Sequence, residues 1–346
     1  MTRDDSYLLA AEAGLFYVDQ GEPGYRRVKR GRGFSYVNGD GQVVNGEARE
    51  WIENLVIPPA WEDVWISRER KGHILATGQD AAGRKQYIYH PLWEEIRDEV
   101  KFDRLGPFGR GLPSLRKRLQ SDLRGTGLDR SKAVALAVAV LDRTLVRVGN
   151  RRYAADNESY GLTTFTCEHI EVEGRHVHLE FAGKGGAEHQ LVFEDARLSK
   201  LISQCQELGG QTLFSYPGPD GTVGSVSSSD VNAYLSDSLG GPFTAKDFRT
   251  WGASSLVVGE LARSHGDDLT TEHRIREAID LAAERLGNTR AVCRDSYVHP
   301  MVIAAADGDE LPNAWLGSRA GRWLSREESA LRKLLGATGD LSANDA

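Results

Sequence analysis

Apolar and polar positions along the 346-residue chain follow two different rhythms. Up to about residue 90, short runs of β-formers alternate with Gly, Asn, Asp and Pro. GFSYVNGDGQVV carries an NGDG turn between two β-forming stretches, a hairpin signal. ISRERKGHILATGQDAAGRKQYIYH repeats the arrangement and ends in the alternating QYIYH. PPAWEDVW, residues 58–65, reads as a Pro/Trp loop. From His90-Pro91 onward the spacing of apolar residues becomes helical. LWEEIRDEVKFDRL follows that period, and LPSLRKRLQSDLRGTGL is an amphipathic, basic helix that stops at Gly. DRSKAVALAVAVLDRTLVRVG reads as a core helix with Asp129 as N-cap and Gly149 as its end. Residues 163–194 break the helical run and predict three short strands joined by EGR and GKGGAE turns. Helices return in DARLSKLISQCQEL, SSSDVNAYLSDSLG, TAKDFRTWGASSLVVGELARS and TTEHRIREAIDLAAERLG. The expected fold is α+β: a β-rich N-terminal domain over 1–90 and a mainly α-helical domain over 91–346 with a small three-stranded sheet.

Composition adds exclusions. The longest apolar run, AVALAVAVL at 133–141, is bracketed by charges and falls far short of the ~20 residues of a membrane span. The opening MTRDDSYLLAAEAG has acids where a signal peptide needs a basic region. Three widely spaced cysteines, Cys167, Cys205 and Cys293, fit reduced thiols and no disulfide framework. A cytoplasmic protein with no membrane partner is expected. The net charge of −7 argues against a polyanionic partner, but it hides a local excess. Residues 101–152 hold thirteen Lys/Arg and four Asp, a local charge of +9. Local field governs contact with phosphates.

Several sites are absent. AGKGGAE lacks the spacing and the Ser/Thr of a phosphate-binding P-loop, and neither C-x-x-C nor H-E-x-x-H occurs. His176 and His178 share one strand face, with His169 and Cys167 nearby, but no second ligand pair accompanies them. The cations are more telling. Arg147 closes an apolar helix in LVRVGN, and Lys184 sits at a hairpin tip in FAGKGG. Lys246 and Arg249 are three apart on one helix face in TAKDFRTWGAS, with Phe248 and Trp251 turned toward the core. Tyr297 stands beside Arg290 and Arg294 in the turn-rich GNTRAVCRDSYVHP. A phenol is a weak nucleophile at neutral pH and needs such cations to stabilise its oxyanion and its target's charge.

Taken in order, Arg147, Lys184, Lys246-x-x-Arg249, Asn288 and Tyr297 resemble the active-site series of type IB DNA topoisomerases, specifically the compact poxvirus-like branch found in bacteria. The local contexts VRVGNRRYAADNESYGLTT, FAGKGG, AKDFRTWGAS and GNTRAVCRDSYVHP carry the resemblance. It extends from about residue 30 to about residue 305. It implies attack of the Tyr297 hydroxyl on a phosphodiester of double-stranded DNA, giving a 3′-phosphotyrosyl link and a free 5′-hydroxyl. Religation then conserves the bond energy, so neither ATP nor metal is implied, and supercoils of both signs relax. Arg147 and Arg249 would clamp the nonbridging oxygens with forked hydrogen bonds. Lys184 would protonate the leaving oxygen, with Lys246 as helper. Asn288 stands where the poxvirus enzymes have His, so it can donate to an oxygen but cannot titrate. Gln86, Tyr87 and Tyr89 resemble positions that meet base edges in the major groove; Arg84, Lys85, Arg152 and Tyr153 would be further DNA contacts. The resemblance also implies a clamp around the duplex, a monomer and a nucleoid-associated place in the cytoplasm. Two other readings compete. Tyrosine recombinases share the catalytic domain but usually carry H-x-x-R at the place of Lys246-x-x-Arg249 and a helical N-terminal domain. A non-catalytic DNA-binding clamp would keep the contacts and lose the chemistry.

Overall fold

The structure, a computed structural model, describes residues 3–151, 154–155 and 158–336. The chain divides into two compact units, Met1–Lys101 and Phe102–Ala346.

The first unit is built on an antiparallel sheet of order β2-β1-β3-β4-β5. Its strands are β1 (Tyr25–Arg30), β2 (Gly33–Val37), β3 (Glu62–Ile66), β4 (Ile74–Gln79) and β5 (Lys85–Tyr89). The NGDG segment turns as expected: Asn38 N–H donates to the Gln42 carbonyl, and Val37 bridges Val43. The expected loop at 58–65 is a strand over its second half. Its alternation is hidden by a bulge between Glu62 and Trp65, where Asp63 takes φ 48°, a conformation short polar side chains tolerate. Val64 and Ile66 point inward to Tyr36, Ala76 and Ile52 of the helix Gly46–Asn54. A second small cluster joins Leu9, Ala10 and Leu15 to Trp93.

The second unit has one continuous core. Helix α1 (Leu105–Asp122) buries Leu105, Phe108, Leu112, Leu115 and Leu119, a stripe at helical spacing. Helix α2 (Arg130–Thr144) begins where expected, with the Asp129 carboxylate accepting from Lys132 N–H at 2.8 Å, and is buried almost all round. It ends at Thr144 and not at Gly149, because Leu145 turns left-handed. The three expected strands form the sheet β6 (Ile170–Glu173), β7 (His176–Ala182) and β8 (Glu188–Glu194), with Val177, Leu179 and Phe181 facing the core. Helices α3 (Ala196–Glu207), α4 (Ser228–Leu239), α5 (Ala245–Arg263), α6 (Thr271–Leu286) and α7 (Arg290–Tyr297) follow. The short α8 (Pro300–Ala304) and α9 (Glu310–Leu316) lead to α10 (Arg326–Gly336). The architecture is α+β, helical in the larger unit with a small antiparallel sheet.

Candidate active site

A capping box fixes the start of α5: Asp247 accepts from Thr244 N–H at 2.7 Å. From that start Phe248 and Trp251 reach the core, as expected, and Arg249 is buried as well, only 3% exposed. A buried guanidinium must find acceptors. Arg249 Nη1 donates to the Leu145 carbonyl at 2.6 Å and Nη2 to the Leu286 carbonyl at 2.9 Å. These carbonyls lie at the C-terminal ends of α2 and α6, where unpaired acceptors and the negative dipole ends gather. Leu145 presents its carbonyl from φ 57°, and Gly252 makes room, since a Cβ there would stand 2.3 Å from the Leu145 side chain. Arg249 thus fastens three segments and still keeps a buried Nε with no partner among the described residues.

Arg147 lies in the extended segment after α2, which is strapped to residues 161–163. Its carbonyl accepts from Leu162 N–H and that of Val148 from Thr163 N–H, both at 2.9 Å. The strap needs glycine: a Cβ on Gly161 would meet the Arg147 carbonyl at 2.6 Å. Arg147 Nη2 then donates to Asn288 Oδ1 at 2.5 Å. This bond sets the amide orientation, because only the oxygen can accept. Asn288 Nδ2 is left buried without a described partner.

Tyr297 is the last residue of α7, an eight-residue helix where turns were expected. The Ser/Asp/Arg content reads as turn, but Thr289 caps the helix and Arg290 forks onto Asp280 of α6 at 2.6 Å. Ser254 of α5 holds the backbone: its Oγ donates to the Tyr297 carbonyl at 3.2 Å and accepts from His299 N–H at 3.0 Å. The Arg249 Cζ lies 4.9 Å from the centre of the Tyr297 ring. Burial alone would raise the phenol pKa, but Arg249, then Arg147 and Lys246, outweigh it and hold Tyr297 below the usual range. Cys293, one turn earlier, moves the other way, its thiol pushed by burial to about 11.

Five of the expected residues, Arg147, Lys246, Arg249, Asn288 and Tyr297, are therefore linked by contact or field. Lys184 is at the exposed β7–β8 turn, where Gly185 and Gly186 take positive φ, and it bonds no member of the cluster among the described residues. Two further residues belong to the site. Ser254 gave no signal beyond a small polar residue in TWGAS. His189 could have been noticed as a histidine at an inward position of β8. It is 8% exposed and stacks flat on Phe181, centroids 4.7 Å apart.

In the first unit, Tyr87 and Tyr89 stack on one sheet face with centroids 5.5 Å apart, near Lys85 Nζ and with Arg97 over Tyr89. Gln86 turns to the opposite face with Ile88, and its Nε2 donates to Asp80 Oδ2 at 2.7 Å; Arg84 pairs with the same oxygen at 2.7 Å. Arg152 and Tyr153 lie outside the described residues. No helix among the described residues is long and apolar enough to cross a membrane.

Comparison with known proteins shows the family. Residues 90–307 match the family described as eukaryotic DNA topoisomerase I, catalytic core, and residues 33–80 match bacterial DNA topoisomerase IB, N-terminal domain. The chain is 31% identical over 285 residues to the DNA topoisomerase 1B of Acanthamoeba polyphaga mimivirus, covering 80% of this chain and 85% of that one. It is 26% identical over 153 residues to the DNA topoisomerase 1B of Vaccinia virus (strain Copenhagen), covering 42% and 48%. A DNA topoisomerase 1 of Mycosarcoma maydis is 22% identical over 231 residues, 60% of this chain and 22% of that one. The chain belongs to the type IB DNA topoisomerases, isomerases that act on DNA.

Proposed function

We propose that Tyr297 is the nucleophile that nicks one strand of duplex DNA. Its oxygen, as the phenolate that the surrounding cations favour, bonds to the scissile phosphorus, the bond from phosphorus to the 5′-oxygen breaks, and the phosphate stays on the 3′ side as a phosphotyrosine. Lys184, delivered by its exposed turn, gives the leaving 5′-oxygen a proton. Arg147 and Arg249 bind the nonbridging oxygens, and Asn288 donates to one of them. Religation is the same exchange in reverse, so no ATP or metal is called on. Between the two steps the cut strand turns and supercoils of either sign relax.

One observation carries this reading: two buried donors have no described protein partner, Arg249 Nε, whose guanidinium stands at the ring of a phenol held below its ordinary pKa, and Asn288 Nδ2, whose amide is bonded to Arg147. Unpaired buried donors are costly, and an anion between them and Tyr297 would satisfy both. The first unit adds DNA contacts through the Tyr87–Tyr89 stack and its flanking Lys85 and Arg97, with Gln86 and Arg84 at the same hairpin. The basic 101–152 segment neutralises backbone phosphates, which makes binding fall with salt. The protein works as a monomer in the cytoplasm, on the nucleoid. Adding detergent during plasmid relaxation and digesting both polymers tests the assignment. Mass spectrometry should find a nucleotide joined through its 3′-phosphate to the peptide containing Tyr297. An adduct on another residue, or a 5′ linkage, would remove Tyr297 from the role.

A further inference from the structure

Each of two turns at the site has a glycine followed by a residue assigned to the chemistry: Gly183-Lys184 and Gly287-Asn288. Both glycines touch the same side chain. A Cβ on Gly183 would stand 2.6 Å from His189 Nε2, and one on Gly287 would stand 2.1 Å from His189 Cε1. The imidazole is therefore wedged between the two turns, with Phe181 stacked flat beneath it at 4.7 Å. Gly287 is already committed to φ 58° as the end of α6, so Asn288 cannot shift without moving against the ring. We infer that His189 is a positioning residue, the spacer that sets the Lys184 hairpin at a fixed distance from Asn288. The inference rests on the roles proposed above for Lys184 and Asn288.

Charge explains why the spacer is an imidazole that stays neutral. The fixed charges acting on it are Arg147 and Arg249, and among the described residues no carboxylate counters them. Burial first, then the two arginines, hold its pKa below the usual imidazole range. Lys184 and Glu188 on its own hairpin are exposed, and Arg290 beyond Asn288 is spent on Asp280. A proton on His189 would add a positive charge beside Arg147 and Arg249 in a site of low dielectric, and the repulsion would disturb the spacing the ring sets. No described residue accepts from or donates to the ring, so packing and neutrality are what it supplies.

The experiment compares single-turnover cleavage of a duplex by full-length wild type, His189→Ala, His189→Gln, Lys184→Ala, Asn288→Ala and the double variants. His189→Ala should slow cleavage about ten- to a hundred-fold, the scale of a displacement of roughly 1 Å at a reacting centre, while DNA affinity holds. That loss should largely vanish in the Lys184→Ala or Asn288→Ala background, because the group being positioned is already gone. Wild type should also lose rate in acid along a limb that His189→Gln lacks. Losses that multiply in both double variants, with an unchanged acid limb, would overturn the inference and leave His189 a packing residue. If His189→Ala unfolds, His189→Gln in the same cycles decides. Wild-type cleavage by both Lys184→Ala and Asn288→Ala would instead defeat the role assignment, and the inference with it.

Discussion

At the scale of single residues, Arg249 decides most of the site's behaviour. Its guanidinium donates to two helix-end carbonyls, keeps Nε without a described partner and faces Tyr297. Removing it takes away the transition-state clamp proposed above and the main cation acting on the phenol. Arg249→Ala and Arg147→Ala should each slow strand cleavage by about 10²–10³, the range for a lost oxyanion donor. Lys184→Ala should cost about 10²–10⁴ as a lost general acid. Single-turnover cleavage checks all three, and a wild-type rate would drop that residue from the mechanism. A second expectation concerns ionisation. The Tyr297 phenolate should form below the usual phenol pKa, seen as ultraviolet absorbance present in wild type and missing in Tyr297→Phe. The midpoint should rise in Arg249→Ala, because burial then acts with less opposition. These residues stood out in the sequence because their chemistry and order are distinctive. His189 and Ser254 were not, because each acts through contacts with segments distant in the chain.

At the scale of elements, the ends of helices were harder to read than their middles. The apolar run of α2 continues past Thr144 in character, and nothing local shows that Leu145 will turn left-handed to feed Arg249. The short α7 was hidden for the opposite reason, since its composition suits turns while its cap and the Arg290–Asp280 fork make it helical. The α7–α8 junction carries a pH dependence. His299 accepts from Met301 N–H as the cap of α8 and packs edge-on to Phe102. Burial pulls its pKa down to about 4, against a partial pull upward from Asp103. The folded pKa is below the unfolded one of about 6.5, so the unfolded chain binds more protons between those values. Stability from this group is full above about pH 6.5 and is lost as pH falls toward 4. Urea unfolding at pH 7 and pH 5 should show wild type losing more stability than His299→Gln; equal losses would exclude His299 as the cause.

At the scale of the whole molecule, the larger unit is bolted together behind its active site. Arg116 forks onto Asp142 of α2 at 2.8 Å and Glu328 of α10 at 2.7 Å, and Glu328 also accepts from Trp251 of α5 at 3.0 Å. The α5 helix that carries Arg249 is thereby fixed to the C-terminal helix. Glu328→Ala would take two bonds from the largely buried Arg116 guanidinium, leaving it Asp142 and the Trp323 carbonyl, and would leave the Trp251 indole N–H unpaired, costing roughly 3 kcal/mol. Chemical denaturation checks this, and a loss below about 1 kcal/mol would mean the network is exposed to water. The α+β class and the strand triplet were legible from period alone, whereas the boundary expected at 90/91 differs from the split at Lys101/Phe102. This network was not legible, because Arg116 and Glu328 lie 212 residues apart and each looks like a surface charge. The central claim, a tyrosine made nucleophilic by cations gathered from distant segments, is tested most directly by relaxation of supercoiled plasmid with EDTA present and ATP absent, comparing wild type with Tyr297→Phe. Relaxation of both positive and negative supercoils by wild type, and none by Tyr297→Phe, is the predicted result. Relaxation by both proteins, or by neither at low salt where DNA is bound, would contradict it.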